Sequence, residues 1–371
     1  MGDPGGIGPE VVLRALMSHA GGVGLAPGPR VLVIGSRSVL HATAERFAVD
    51  PFWWTVPAGS GLLGAAGAHS VVLLDDDRLR GDGCVFPREP SRAGGAASFG
   101  WVERAIDLAG RGAGDAERVD AIVTGPISKK AWSLAGRGKY PDHTTLLGTR
   151  FRSKRYGMFF WSEALCVMLA TIHVPLMEVR NELTIGRVVD AIDMAAEGCR
   201  LFGVEKPRVA VAGLNPHAGE GGVLGDEEVR IIEPAIRHAR EGGVDASGPY
   251  PGDTVFGRAA SGRFDCVVAM YHDQGLIPVK LLSRGAAANI TIGLPIVRTS
   301  PDHGTAFDIA GTGRAEDGSM RTALQAAVRA VLARRPEFRV GAEGGPGGGA
   351  SPGGGVEAER GGGGAAAGGG V

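Results

Sequence analysis

The chain has 371 residues, of which 44% are hydrophobic, and it carries 39 Lys plus Arg against 40 Asp plus Glu. That length exceeds one average domain and suffices for one large or two moderate α/β lobes with a sizeable core. The balanced charge supplies no field to gather nucleic acid or an acidic membrane surface, and no apolar run approaches the ~20 residues that span a bilayer, so the expected partners are small molecules. With no secretory leader and four scattered cysteines (Cys84, Cys166, Cys199, Cys266), none in a CxxC pair, the expected location is the reducing cytoplasm. Residues 341–371 are almost entirely Gly, Ala and Pro and are expected to be a disordered tail.

In chain order, GDPGGIGPE (residues 2–10) opens a helix whose apolar spacing starts at VVLRALM. Such a glycine turn either presents backbone N–H groups to an anion or is only a tight turn. It ordinarily leaves a strand; none stands before it, so the first sheet strand is expected to be missing. Val31 to Ile34 and Val71 to Leu74 read as short buried strands. Between them Gly59-Ser60-Gly61-Leu62-Leu63-Gly64 matches GxGxxG formally. It is set aside as a dinucleotide loop because no clear strand leads into it and the next acids, Asp75 to Asp77, come too soon and read as a solvated turn.

Ala121 to Thr124 reads as a strand and ISKKAWSLAG as a helix, after which His143 and Thr144 stand just before another helical run, able to cap it or to reach a phosphate. Leu165 to Thr171 is a buried strand ending near His173. A helix spans Ile185 to about Phe202, and the strand Val209 to Leu214 ends at Asn215-Pro216-His217. Asp226 to Arg240 has acids at its start and bases at its end, as a helix dipole favours; Asp253 then sits in a turn as a cap or a site carboxylate. Cys266 to Met270 is a strand ending at His272, and Met320 to Leu332 repeats its apolar residues at helical spacing.

Three strands thus end in histidine: His173, His217 and His272. At one sheet edge three imidazoles can form an open divalent-metal site; separately they are ordinary structural histidines. Residues 265–311 also hold Lys280, Asn289, Arg298 and Asp302-His303-Gly304-Thr305 among short apolar runs. Arg offers a fixed fork of donors, Lys a point charge, and Asn one donor and one acceptor, a set suited to a small anionic, hydroxylated substrate.

The segments GDPGGIGPE, TGPISK, HTTLLG, ATIHVPL, GLNPHAGEGG, DTVF, AMYHDQGLIPVK, NITIGLPIVRTS and DHGTAFDIAG resemble, in order and spacing, the 4-hydroxythreonine-4-phosphate dehydrogenase family of vitamin B6 biosynthesis, over residues 1 to about 333. The resemblance implies an isocitrate/isopropylmalate dehydrogenase-like fold of two α/β lobes with the active site in the cleft between them. It further implies oxidation and decarboxylation of 4-phosphohydroxy-L-threonine to 3-amino-2-oxopropyl phosphate, with NAD (or NADP) and a divalent metal (Zn, Mg or Co). By motif, His173, His217 and His272 are similar to the metal ligands, His272 being supplied by the partner subunit of a homodimer. His143, Thr144, Lys280, Asn289 and Arg298 are similar to the substrate contacts, and His303 and Asp308 to the adenosine-holding loop of the cofactor. Lys280, Asp253 or a metal-bound water is the expected proton acceptor.

Asp142 stands where the family usually has Gly, beside an expected phosphate contact. PVKLL and AFDIAG look more like a branch acting on D-threonate or D-erythronate 4-phosphate. A metal-dependent lyase without redox chemistry and a non-catalytic metabolite binder are the expectations from other classes; DHGTAFDIAG speaks against the first and the full set of site residues against the second.

Overall fold

The computed structural model describes residues 1–20, 29–77 and 86–335; Cys84 and the stretch from Gly341 lie outside them. Helix α1 (Gly8–Ala20) is followed by β1 (Val31–Gly35), α2 (Arg37–Arg46), β2 (Trp54–Pro57) and β3 (Val71–Asp75). Next come α3 (Arg92–Ala109), β4 (Ala121–Val123), α4 (Lys129–Leu134) and α5 (His143–Arg150). The middle of the chain forms β5 (Gly157–Trp161), β6 (Val167–Leu169), α6 (Val179–Glu182), α7 (Ile185–Leu201), β7 (Arg208–Ala212), α8 (Glu233–Glu241) and β8 (Asp245–Tyr250). It closes with α9 (Gly252–Ala260), β9 (Cys266–Ala269), α10 (His272–Ser283), β10 (Ala288–Ile292), β11 (Val297–Pro301) and α11 (Gly318–Arg334).

The strands make a parallel three-stranded sheet, β1-β3-β2, and an eight-stranded sheet, β4-β11-β10-β5-β6-β9-β7-β8. In the larger sheet β4 and β11 are parallel, β10 and β5 run against their neighbours, and β6, β9, β7 and β8 are parallel again. Helices cover both faces, which is why β9 reads CVVA without alternation: Cys266 and Val268 pack under α7 and α8, Val267 and Ala269 under α9 and α10. Helix α3 joins the two sheets. Its Phe99, Val102 and Ile106 pack with α4, α5 and β4, while its Ala97 and Trp101 pack on the three-stranded sheet. Helix starts are fixed by side chains: Ser91 accepts from Gly94 N–H, Thr184 from Arg187 N–H and Asp142 from Thr145 N–H.

The α/β expectation holds, with local corrections at Gly59 and at Asp75 to Asp77. A strand, β2, does lead into Gly59; beyond the glycines comes one turn of 3-10 helix, Gly64–Ala68, so the GxGxxG match still lacks the long helix that a dinucleotide loop opens. Asp75 to Asp77 is not a solvated turn: Asp76 is buried, and Asp75 accepts the N–H of Arg37 at 2.8 Å where α2 begins. At the glycine turn Gly5 N–H is bound by Asp3 Oδ1, Gly6 N–H by Asp3 O and Ile7 N–H by Thr305 O, so these three donors are used within the protein, which favours the tight-turn reading. Finally α10 follows β9 at once, with Pro278 inside it, a residue that argues against helix in the sequence alone.

Candidate active site

Strands β6, β9 and β7 are adjacent and parallel, so their C-terminal ends share one edge of the sheet. His173 follows β6, His272 opens α10 after β9, and His217 follows β7. The ends are tied together: Thr171 Oγ1 donates to Met270 O at 2.7 Å, and Gln274 accepts from Met270 N–H while donating to Gly213 O, both at 2.7 Å. His173 (φ 51) and His217 (φ 52) both adopt the left-handed backbone that non-glycine residues avoid. Such strain, of order 1–3 kcal/mol, persists where the surroundings over-determine it and concentrates at functional sites. For His217 those surroundings are Glu228, a buried carboxylate whose Oε1 accepts from Leu214 and Asn215 N–H, both at 2.7 Å, and whose Oε2 accepts from the Asn215 side chain.

The rings of His173 and His272 lie 5.6 Å apart on one chain. Each has a carboxylate at Nδ1, Asp142 Oδ2 at 3.5 Å from His173 and Asp273 Oδ1 at 2.7 Å from His272. That arrangement orients an imidazole and leaves Nε2 as a metal ligand. The donor set therefore fits a divalent ion. Among the described residues no third His, Cys, Asp or Glu closes on the pair to form a three-donor cluster, so His217 on the adjoining strand end is near in topology but not gathered in.

A second group lies under α5. On β10 and β11 one face carries Ala288, Ile290, Ile292 and Val297 into the core beneath α11. The other face carries Asn289, Thr291, Arg298 and Ser300, all polar and all buried. Arg298 is 2% exposed and, among the described residues, no carboxylate forms an ion pair with it; it donates to Thr291 Oγ1 at 3.0 Å and Thr124 Oγ1 at 2.8 Å, and its Nε has no partner. Burial brings its pKa down to about 10. Beside it His143, the first residue of α5, is pressed edge-on against Trp132, and its Nε2 also has no partner, nor has Asn289 Oδ1. Burial, then the nearby Arg298 charge, pushes the His143 pKa well below 6.5, so the ring is neutral. Leaving such groups unpaired costs about 1–3 kcal/mol each, more for a charge. Arg298, His143 and Asn289 thus leave buried polar atoms that an anion with hydrogen-bonding oxygens could satisfy.

Asp142 connects the two groups. It caps α5 through Thr145 N–H at 2.8 Å, approaches His173, and its charge is felt by Arg298 and His143. Burial alone would push its carboxyl up, but hydrogen bonds from His173 and Thr145 hold it well below the usual carboxylate range. The cap is thus Asp142, not His143 or Thr144, which lie inside the helix and are buried.

The other expected residues fall outside this cluster. Lys280 is exposed on α10 and Asp253 is exposed in the first turn of α9. His303 Nδ1 bonds Gly304 O at 3.1 Å while its Nε2 is buried and unpartnered, and Asp308 is exposed on the same loop. That loop is pinned to α1: Glu10 accepts from Gly311 and Ala315 N–H, and Arg14 donates to Gly313 O and Ala315 O. No pattern in the sequence marks Gln274, Glu228 or Thr291 as site supports, since their roles appear only when distant strands meet.

Residues 29–327 match the family model described as pyridoxal phosphate biosynthetic protein PdxA. The chain is 44% identical to a 4-hydroxythreonine-4-phosphate dehydrogenase of Desulfosudis oleivorans, over 91% of this chain and 96% of that relative. It is 42% identical to a D-threonate 4-phosphate dehydrogenase of Salmonella typhimurium, over 89% and 97%. The crystal structure of 4-hydroxythreonine-4-phosphate dehydrogenase from Klebsiella pneumoniae superposes with a TM-score of 0.74 at 39% identity, covering 89% of this chain and 96% of that one.

Proposed function

The chain belongs to the family of the pyridoxal phosphate biosynthetic protein PdxA, and from that premise we propose that it oxidises and decarboxylates 4-phosphohydroxy-L-threonine to 3-amino-2-oxopropyl phosphate, using NAD and a divalent metal. Membership makes it a dehydrogenase. The observation that carries the substrate reading is the buried Arg298, without a carboxylate partner and flanked by unpartnered atoms of His143 and Asn289.

In this reading Arg298 holds an anionic group of the substrate by charge-assisted hydrogen bonds, which are strong in a buried site. Neutral His143 and the hydroxyl of Thr144 bond its oxygens, and Asn289 Oδ1 accepts from a hydroxyl or amine. These contacts fix the carbon bearing the hydroxyl, the orientation on which transfer depends. The substrate loses a hydride from C3 to the nicotinamide and its hydroxyl proton to a base; the resulting β-keto acid loses its carboxyl group as CO2, and the carbon left behind takes up a proton. A divalent ion on His173 and His272, with His217 as the third imidazole, would supply a Lewis acid for both oxygen centres. The loop of His303 and Asp308, pinned by Glu10 and Arg14, would take the adenosine half of the cofactor.

Lys280 and Asp253 are exposed, so as proton acceptors they would have to act at a face completed by a second copy. Ile277 and Leu281, 59% and 71% exposed on α10 beside Lys280, support a homodimer packed through that helix. No described helix is long and apolar enough to cross a membrane, and Cys166, Cys199 and Cys266 are free thiols, which suits a cytoplasmic enzyme.

A second reading, the same chemistry on D-threonate 4-phosphate, is favoured by the Salmonella relative. The two substrates differ at C2, amine against hydroxyl. NADH formation with each phosphate in turn, with and without a chelator, separates them: chelator-sensitive turnover of the amino substrate is expected, turnover of the sugar acid phosphate alone would select the second reading, and no NADH from either would sink both.

A further inference from the structure

Three segments distant in sequence meet at the loop 303–315. The glycine turn reaches it through Ile7 N–H, which donates to Thr305 O at 2.9 Å. The end of α2 reaches it at two glycines: a Cβ on Gly311, whose φ is +66, would collide with Arg46 Nη1, and one on Gly313 would stand 3.4 Å from Phe47 Cε1. The stretch before α3 brings Arg88, whose Nη2 would stand 3.5 Å from that same Cβ on Gly311. A residue without a side chain lets two guanidinium groups close over its backbone, and glycine takes the positive φ without strain.

The arginines at this loop differ in what they already hold. Arg14 donates to Gly313 O and Ala315 O and lies 3.7 Å from Glu10, whose own oxygens accept from Gly311 and Ala315 N–H. Arg46 and Arg88 are exposed, and among the described residues neither guanidinium forms an ion pair or a hydrogen bond. Two like charges over one glycine repel each other, and an anion between them turns that repulsion into attraction. The guanidinium fork matches phosphate oxygens in particular. Asp308, also exposed, lies on the other side of the short 3-10 turn Phe307–Ile309. Its carboxylate only accepts hydrogen bonds, so it suits ribose hydroxyls and repels phosphate. The loop therefore offers an acceptor and then a cationic pair, the order in which a dinucleotide presents its ribose and its phosphates.

We infer that Arg46 and Arg88 are the anion-holding residues of the cofactor site and take the diphosphate bridge of the dinucleotide across Gly311. The inference rests on the reading that the loop of His303 and Asp308 takes the adenosine half, and it adds the residues that hold the charged part. Because both arginines face solvent, their hold on the anion is screened by salt.

Calorimetric titration of the full chain tests this with ADP-ribose, adenosine and inorganic diphosphate as probes, with no substrate or metal present. Arg46→Gln and Arg88→Gln should each weaken ADP-ribose about tenfold and leave adenosine within about twofold, with the melting curve unchanged. Raising salt from about 50 to about 200 mM should weaken ADP-ribose binding to the parent and have little effect on the double variant. Asp308→Asn reports on the loop reading separately, because it should weaken adenosine. Adenosine binding indifferent to Asp308→Asn would overturn that reading and this inference with it. Adenosine sensitive to Asp308→Asn, beside ADP-ribose indifferent to both arginines, would overturn the inference alone. Inorganic diphosphate that binds more tightly than ADP-ribose and is lost with the same two variants would assign the arginines to a free anion and overturn it as well.

Discussion

The pocket around Arg298 and the histidine edge around His173 meet at Asp142 yet are made by opposite means. The pocket's groups stand on paired strands and the first turn of a helix, wholly buried, with ordinary backbone and unpaired polar atoms. The edge groups stand just past the strand ends, about 40% exposed at His173 and His272, with His173 and His217 held in left-handed backbone. One region stores its cost as desolvation, the other as backbone strain. Buried polar groups on paired strands suit the part of a substrate that must be recognised, and an open edge suits an ion that must be able to exchange ligands.

The sharpest way to break this comparison is Arg298→Met. Removing an unpaired buried cation should leave the thermal midpoint unchanged or higher, because well-packed apolar replacements of buried charges are often neutral or stabilising. Losing a buried charged contact to an anion should lower kcat/KM about a thousandfold, within the range of about 2–5 kcal/mol for such truncations. Activity within tenfold of the parent would show that the pocket is not the anion site. His217→Ala should next remove metal-dependent turnover while circular dichroism and the melting curve stay as they were; full activity that still depends on metal would take His217 out of the ligand set. His173→Gly sharpens the strain half. Glycine accepts φ 51 freely, so about 1 kcal/mol should be recovered as a midpoint a few degrees higher, while calorimetric metal affinity falls.

Much of this is legible in the sequence, and for a physical reason. The apolar runs ending in His173, His217 and His272 are buried parallel strands, whose continuous hydrophobicity marks their ends clearly, and adjacency of β6, β9 and β7 brings those ends to one edge. Arg298 and Asn289 are legible as polar residues within apolar runs. The hidden part depends on register. That Thr291 faces Arg298, that Gln274 links two strand ends and that His173 meets His272 on the same chain are facts of strand register and pairing, which the order of residues does not display. Strand β2 escapes a reading of the sequence because Trp54–Pro57 is short, ends in proline and lies at a sheet edge with half its residues exposed. Helix α10 is obscured by Pro278, a residue that helix interiors disfavour.

The smallest effect falls where the two regions join. Asp142→Asn keeps the helix cap, since Asn caps as well as Asp, but removes the charge that faces His173. If His173 holds the metal as proposed, losing its carboxylate partner should weaken metal binding about tenfold, the low end of such changes. It should also alter acid stability in a defined direction. The Asp142 pKa is depressed in the folded state, so its contribution is complete above the ordinary carboxylate pKa near 4 and disappears as pH falls toward the folded value. The parent should therefore lose stability more steeply than Asp142→Asn below about pH 4, and the two curves should run parallel above about pH 5. Parallel curves at every pH, with metal affinity unchanged, would mean that Asp142 only caps α5 and that pocket and edge are electrostatically separate.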